Sequence, residues 1–222
     1  TDLTAATSVN LTAVDEIDVG LEAATTATFS AGGTTASTID DAAGDTLTSV
    51  SLSGNGTAHT FDLKDSEGVA TVTITGDQAV TVEMDGSDID GLTGNALTMT
   101  DGSTATSTLS VTTAAGDMDL SAAAVDVINI GVDNNAKAAT VASGAAVTFS
   151  VAQTSTTIDG SDAGAATNTV AVTLDDADLT NSAAVDVGTL VFTDIASATI
   201  DVSVDANTTA DDSIITNITG SA

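Results

Sequence analysis

The residues of this chain that could do chemistry are almost all aspartates. The 222 residues include 32 Asp plus Glu, of which all but four are Asp, against two Lys and one His. The aspartates form clusters where runs of alternating apolar residues stop: Asp40, Asp41 and Asp45; Asp85, Asp88 and Asp90; Asp159 and Asp162; Asp175, Asp176 and Asp178; Asp211 and Asp212. Aspartate is both a turn former and a short, stiff oxygen ligand. Each cluster could therefore be a turn or a cation site.

Calcium is the cation that these clusters would suit best. The stretch VEMDGSDIDG, residues 82–91, places three carboxylates and a hydroxyl within six residues, and TIDGSDAG, residues 157–164, repeats its centre. Calcium takes six to eight oxygen ligands in irregular geometry, magnesium demands a stricter octahedron, and zinc prefers His or Cys. We predict calcium ligands among Asp40, Asp41, Asp45, Asp85, Asp88, Asp90, Asp159, Asp162, Asp175, Asp176 and Asp178. The alternative is that Asp and Gly make turns and the charge is solvated surface.

Catalysis is not expected. His59 is the only imidazole, and the chain has no Cys, Arg, Tyr or Trp. Paired carboxylates can cleave a glycosidic bond, but sugar sites normally also present aromatic platforms, and the only aromatic residues are four Phe. We therefore predict that the protein is not an enzyme and that His59 is a surface or strand residue.

The charge balance limits the partners. A formal net charge of −30 repels nucleic acid and anionic membranes, and it opposes compaction unless cations offset it. No apolar run approaches the roughly 20 residues of a membrane span, so direct membrane insertion is not expected. The chain starts without Met and shows no signal peptide, and we expect it to be a segment of a longer protein.

The elements that position these residues read as β-strands. Short runs such as residues 69–75, 80–84 and 170–174 alternate apolar and polar side chains and recur between Gly, Asn, Asp and Ser. The sequence thus predicts an all-β protein, and the small side chains and absence of Pro favour an irregular parallel β-helix. Residues 122–130 fit a helix or a strand.

An internal repeat supports an alternative architecture. AVDEIDVG, residues 13–20, matches AVDVINIG, residues 124–131, at an offset of 111. This favours two tandem β-sandwiches as the runner-up and suggests modules at 1–111 and 112–222, within one continuous β structure. Thr-x-Thr runs, such as residues 71–75, are typical of ice-binding faces, but they do not recur at a fixed period. Solvent-facing Thr ladders on a sheet are therefore the preferred interpretation.

The stretches TITGDQAVTVEM, residues 73–84, and LTAVDEIDVG, residues 11–20, resemble the β-strand repeats of bacterial S-layer proteins and adhesins related to RTX proteins. Residues 211–220, DDSIITNITG, resemble the lead-in to an RTX calcium array, although the RTX nonapeptide is absent. The resemblance implies a calcium-dependent extracellular protein of the cell surface that self-assembles into a lattice or filament. It also implies contact with cell-surface polysaccharide through regions outside this chain. The alternatives are an adhesin stalk or cell-contact module, and a halophile surface protein without specific calcium sites.

Overall fold

The computed structural model describes residues 2–3, 5–41, 46–92, 96–113, 116–161, 167–175, 185–202 and 215–221. In these ranges the regular secondary structure is almost entirely β-strand, and every strand pairing is parallel. Among the described residues, no helix has both the length and the apolar character needed to cross a membrane.

The strands and the single short helix of the described chain are, in order, β1 (Asp2–Leu3), β2 (Ser8–Thr12), β3 (Asp18–Leu21), β4 (Thr26–Ala31), β5 (Ser37–Asp40), β6 (Ser49–Gly54), β7 (His59–Asp62), β8 (Thr71–Thr75), β9 (Val80–Met84), α1 (Gly86–Gly91), β10 (Thr98–Asp101), β11 (Ser107–Val111), β12 (Met118–Leu120), β13 (Ala123–Ala124), β14 (Val127–Ile130), β15 (Ala138–Val141), β16 (Ala145–Phe149), β17 (Thr156–Gly160), β18 (Thr169–Leu174), β19 (Val187–Thr193), β20 (Ser197–Val202) and β21 (Ile215–Ser221).

The strands form a parallel β-helix. A ten-stranded sheet, the long sheet, has the order β1-β3-β5-β7-β9-β11-β14-β16-β18-β20. The opposite side is a six-stranded sheet, β2-β4-β6-β8-β10-β13, followed by a five-stranded sheet, β12-β15-β17-β19-β21. The chain visits the long sheet and a facing sheet in turn, so each coil stacks on the previous one. The all-β, parallel β-helix prediction is confirmed, and the tandem-sandwich alternative is wrong because neighbouring strands are parallel rather than antiparallel.

The period-two alternation of the sequence builds the core. In the long sheet Phe61 pairs with Val82, and the column continues through Leu109, Ile128 and Val147. All five are at most 2% exposed. Equivalent positions of successive coils thus stack directly, which lets a chain with few large side chains fill a narrow interior.

The outer side of the six-stranded sheet carries a regular array of small polar side chains. Strand pairing aligns them in three columns across the strands β2, β4, β6, β8 and β10, and none of the aligned residues is charged. We call this array the hydroxyl face; its columns are Ser8, Thr26, Ser49, Thr71 and Thr98; Asn10, Thr28, Ser51, Thr73 and Thr100; and Thr12, Ser30, Ser53 and Thr75.

The coils differ in length, and the loops absorb the difference. Successive strands of the hydroxyl face are offset by 18, 23, 22 and 27 residues between paired positions. The loops lie along two edges. The exit edge holds the segments that follow strands of the long sheet, and the entry edge holds those that lead into it.

The internal repeat falls on equivalent places in two coils. Residues 13–20 and 124–131 both cross the entry edge into the long sheet, where they form β3 and β14. The long sheet is continuous past residue 111, because β11 pairs with β14. The facing side changes sheets at β12 and β13. The division into modules at 1–111 and 112–222 stays a prediction.

Two segments differ in detail from the sequence pattern. Residues 122–130, compatible with a helix or a strand, contain the strands β13 and β14. The stretch after Asp85 winds into the single turn α1 rather than an open loop, with Asp88 N–H and Ile89 N–H donating to the Asp85 carbonyl at 3.1 and 3.3 Å.

Candidate cation-binding edge

Carboxylates from three consecutive coils stack along the exit edge. Asp41 follows β5, Asp65 and Glu67 follow β7, and Asp85 and Asp88 follow β9. Because the strands of the long sheet are parallel and in register, the loops that follow them meet at one edge. We call these five residues the acidic edge.

Asp41 is the most buried member of the acidic edge, with no exposed surface. Its N–H donates to the Asp65 carbonyl at 2.9 Å, which joins two coils. Its Oδ2 accepts the Leu47 N–H at 2.6 Å, but its Oδ1 is buried without a hydrogen-bond partner. An unpaired buried carboxylate oxygen is costly, so Oδ1 of Asp41 marks a place where a bound cation would be stabilised.

Lys64 partly neutralises the outer side of this region. Its Nζ lies 2.9 Å from Asp62 Oδ2 and 2.9 Å from Glu83 Oε2, so the ammonium bridges β7 and β9. Hydrogen bonds to Asp62 and then to Glu83 raise the pKa of Lys64. Since the chain has only two Lys, most carboxylates have no such partner available.

Asp85 and Asp88 are held differently although they are three residues apart. Asp85 Oδ1 accepts the Thr112 Oγ1 hydroxyl at 2.8 Å, and Gly86 N–H donates to Thr113 Oγ1 at 3.2 Å, so the next coil fixes the start of α1. Asp88 is 9% exposed; Ser87 Oγ donates to its Oδ1 at 3.4 Å, while its Oδ2 is buried without a partner.

The surroundings of Asp88 disfavour its negative charge. Burial, followed by the charges of Asp85, Glu67 and Asp65, raises the pKa of Asp88 from 3.8 to about 6. This carboxylate is therefore the place along the acidic edge where a divalent cation would relieve the most repulsion.

The other predicted ligands are spread over the molecule. Asp90 is exposed, and its carboxylate packs against the backbone of Gly116. Asp40 is the last residue of β5, and Asp175 follows β18, with its N–H donating to the Phe149 carbonyl at 2.9 Å. Asp45, Asp162, Asp176, Asp178, Asp211 and Asp212 lie outside the described residues.

The two Asp-Gly-Ser-Asp stretches begin at different places in the coil. The first follows β9 of the long sheet, whereas the second begins within β17 of the five-stranded sheet, where Asp159 pairs with Thr140 and Thr193. Burial and then the charge of Asp194 raise the pKa of Asp159, and its Oδ1 has no partner. The similarity of the two stretches therefore does not reflect equivalent places in the coil.

The entry edge contains an aspartate–serine network that the sequence patterns did not single out. Ser107 Oγ donates to Asp101 Oδ2 at 2.7 Å and accepts the Asp126 N–H at 3.1 Å. Ser103 N–H donates to Asp101 Oδ1 at 2.7 Å. Although burial opposes them, the hydrogen bonds from Ser107 and Ser103 lower the pKa of Asp101. This network closes the turn between β10 and β11.

His59 is a strand residue, in β7, and 4% exposed. Its Nε2 lies 2.8 Å from Ser37 Oγ, which also accepts the Ile17 N–H at 2.8 Å, and its ring packs edge-on against Phe61 at 5.0 Å. Ser37 has no exposed surface, so this pair fastens three coils from within. A groove of about 430 Å³ beside His59 is lined by small side chains such as Thr57 and Thr81 and by no carboxylate.

The acidic edge offers carboxylate oxygens without completing a protein-only ligand sphere. Within the described ranges, no three His, Cys, Asp or Glu side chains converge on one point. A bound cation at Asp88 would therefore draw on water and backbone carbonyls as well as on neighbouring carboxylates, which calcium accepts. Asp65 and Glu67 were missed as neighbours of Asp88 because they are a full coil away in sequence.

The fold places the chain in the class of parallel β-helix proteins. Comparison with protein-family models, with curated proteins and with solved structures gives no match to this chain.

Proposed function

We propose that the chain is a non-catalytic structural segment of a bacterial extracellular surface layer or filament, stabilised by calcium and self-assembling. The observation that carries the calcium part is the buried, unpaired Oδ2 of Asp88 beside carboxylates of two consecutive coils, in a chain of net charge −30.

Calcium would act as a folding ligand. Like charges along the acidic edge oppose the stacking of coils, so the free energy of folding would improve when a divalent ion binds the native chain and not the unfolded one. Asp88 would hold the ion, with Asp85, Asp65 and Glu67 supplying nearby negative charge. Because a ligating carboxylate must be ionised, calcium affinity would fall as the pH drops below about 6.

The structural role is supported by the regular architecture. The core consists of stacked columns of equivalent side chains, and the Ser37–His59 pair is sealed inside it. A continuous stack of hydrogen-bonded parallel coils of this kind suits a load-carrying wall component.

The test is calcium titration of the chain at fixed ionic strength, followed by calorimetry and by thermal melting. We expect calcium, and not magnesium or added sodium chloride, to raise the melting temperature. Asp88→Asn should lose most of this increase, whereas Asp77→Asn, which removes one exposed charge from the entry edge, should keep it. Electron microscopy of the calcium-loaded chain would then report ordered arrays or filaments.

A second candidate is an acidic protein whose charge is screened by salt without specific sites. It is favoured by the lack of three converging acidic side chains in the described parts of the chain. Equal stabilisation by sodium chloride and calcium at matched ionic strength would support this candidate and contradict the calcium proposal.

A further inference from the structure

The hydroxyl face of the six-stranded sheet is periodic in two dimensions. Members of one column sit on directly paired strands, and members of one strand are two residues apart. Strand geometry sets these repeats at about 4.8 Å along a column and about 6.7 Å between columns. The Thr-x-Thr runs have no fixed period in the sequence, but they align in space because the loops absorb the differences in coil length.

The hydroxyl face is an uncharged array on a very acidic molecule. The outer positions of the long sheet include Asp62 and Glu83. The five carboxylates of the acidic edge lie along the exit edge. The hydroxyl face has no charged residue in its three columns. A partner that approaches this face meets hydroxyl groups, each able to donate and accept, without displacing the tightly held water of a carboxylate.

Most of these hydroxyls are free to bond outward. Of the side chains in the three columns, Thr26 donates to Ser8 at 3.4 Å, and the described contacts give the other hydroxyls of the array no side-chain bond within the chain. The central Thr residues, such as Thr28 and Thr73, are β-branched and stiff, so their hydroxyl and methyl groups are held in place before any partner arrives.

A second copy of the chain is a poor fit to this face. Five strands and five residues per strand span roughly 20 Å by 17 Å. That area is under half of the roughly 800 Å² per partner that a stable protein interface buries. A solid surface that itself repeats in two dimensions is a better fit. Its repeating sites could each contact one of the regularly spaced side chains of the hydroxyl face at the same time.

We infer that the hydroxyl face binds ice. The water molecules on the faces of an ice crystal repeat in two dimensions at spacings of a few ångströms, and they donate and accept hydrogen bonds as the Ser and Thr side chains do. Ordered water held between the Thr methyl groups and hydroxyls would join the crystal surface. This activity is independent of calcium binding at the acidic edge.

The test is thermal hysteresis, the gap between the melting and freezing temperatures of an ice crystal in the protein solution, together with uptake of the fluorescently labelled chain into a growing ice surface. The variants are Thr73→Tyr, at the centre of the hydroxyl face, and Thr148→Tyr, on the outer side of the long sheet between Asn129 and Thr173. Circular dichroism melting establishes that both variants are folded.

We expect the unmodified chain to give hysteresis and ice uptake, Thr73→Tyr to lose the larger part of both, and Thr148→Tyr to retain them. Absence of hysteresis and uptake in the unmodified chain would overturn the inference, as would an equal loss in the two variants. Sedimentation supplies a further check. A dimer that Thr73→Tyr converts to monomer would assign the face to a second copy instead.

Discussion

Replacing Asp88 by Asn tests whether the acidic edge is electrostatically strained in the absence of metal. Asn keeps the size of the side chain but cannot ionise. The pKa of Asp88 is raised from 3.8 to about 6, so ionising it in the folded chain costs at most about 3 kcal/mol. We expect Asp88→Asn to be more stable than the unmodified chain by up to that amount at pH 7 in EGTA.

The sign of the pH dependence follows from the direction of the pKa change. A carboxyl whose pKa is raised on folding stabilises the native state below its unfolded value of 3.8, and this contribution is lost as the pH rises through about 6. The advantage of Asp88→Asn should therefore be near zero at pH 4 and full at pH 7.

The assay is urea unfolding followed by circular dichroism at several pH values, always with EGTA. Asp77→Asn is the matched control, because it removes one exposed charge from the same chain and so measures the general benefit of reducing a net charge of −30. If Asp88→Asn gains no more than Asp77→Asn, or gains equally at pH 4 and pH 7, the reasoning about burial and neighbouring charge is refuted.

Two further predictions concern the entry edge. Gly33 has a φ of +84°, and a Cβ there would meet the Asp15 carboxylate and lie 3.3 Å from the Asp15 Cα, whereas Gly56 has a φ of +78° with open space around it. At Gly56→Ala the backbone conformation alone should cost about 1 kcal/mol of folding free energy, and Gly33→Ala should cost more. Equal losses of the two variants in thermal melting would contradict the close approach of Asp15 to Gly33. Asp101→Asn should cost about 1–3 kcal/mol, because it weakens the hydrogen bonds from Ser107 and Ser103. Since the pKa of Asp101 is lowered on folding, the loss of stability in Asp101→Asn should be present at neutral pH and vanish as the pH falls through the folded-state pKa. Urea unfolding that shows the same loss in strong acid would contradict this role of the Asp101 carboxylate.

Much of the fold could be predicted because the alternation of side chains is local. Residues 80–84 alternate apolar and polar, and they form β9 with Val80, Val82 and Met84 inside. The lack of Pro and the small side chains predicted stacked parallel coils, because such coils need uninterrupted ladders and little room between them. The partner of each strand was harder to predict, because paired residues lie 18 to 34 positions apart and the loops vary.

The site was less predictable because it depends on burial and on contacts between coils. The sequence singled out Asp85, Asp88 and Asp90 together, but α1 sends them to different surroundings, and Asp88 alone is buried without a partner for Oδ2. Asp65 and Glu67 affect Asp88 only because β7 and β9 are neighbours. Asp159 resembled a turn residue, yet it lies within β17, where its neighbours are set by register.

The change of facing sheet at β12 and β13 affects how the molecule can come apart. In a stack of coils each coil contacts only its neighbours, so stability is a sum of local terms and unfolding can advance one coil at a time. At this point the facing side holds a two-residue ladder between β10 and β13, while the four-residue ladder between β11 and β14 continues the long sheet. Unfolding that begins at one end of the molecule can therefore stop at the change of facing sheet and leave the remaining coils folded.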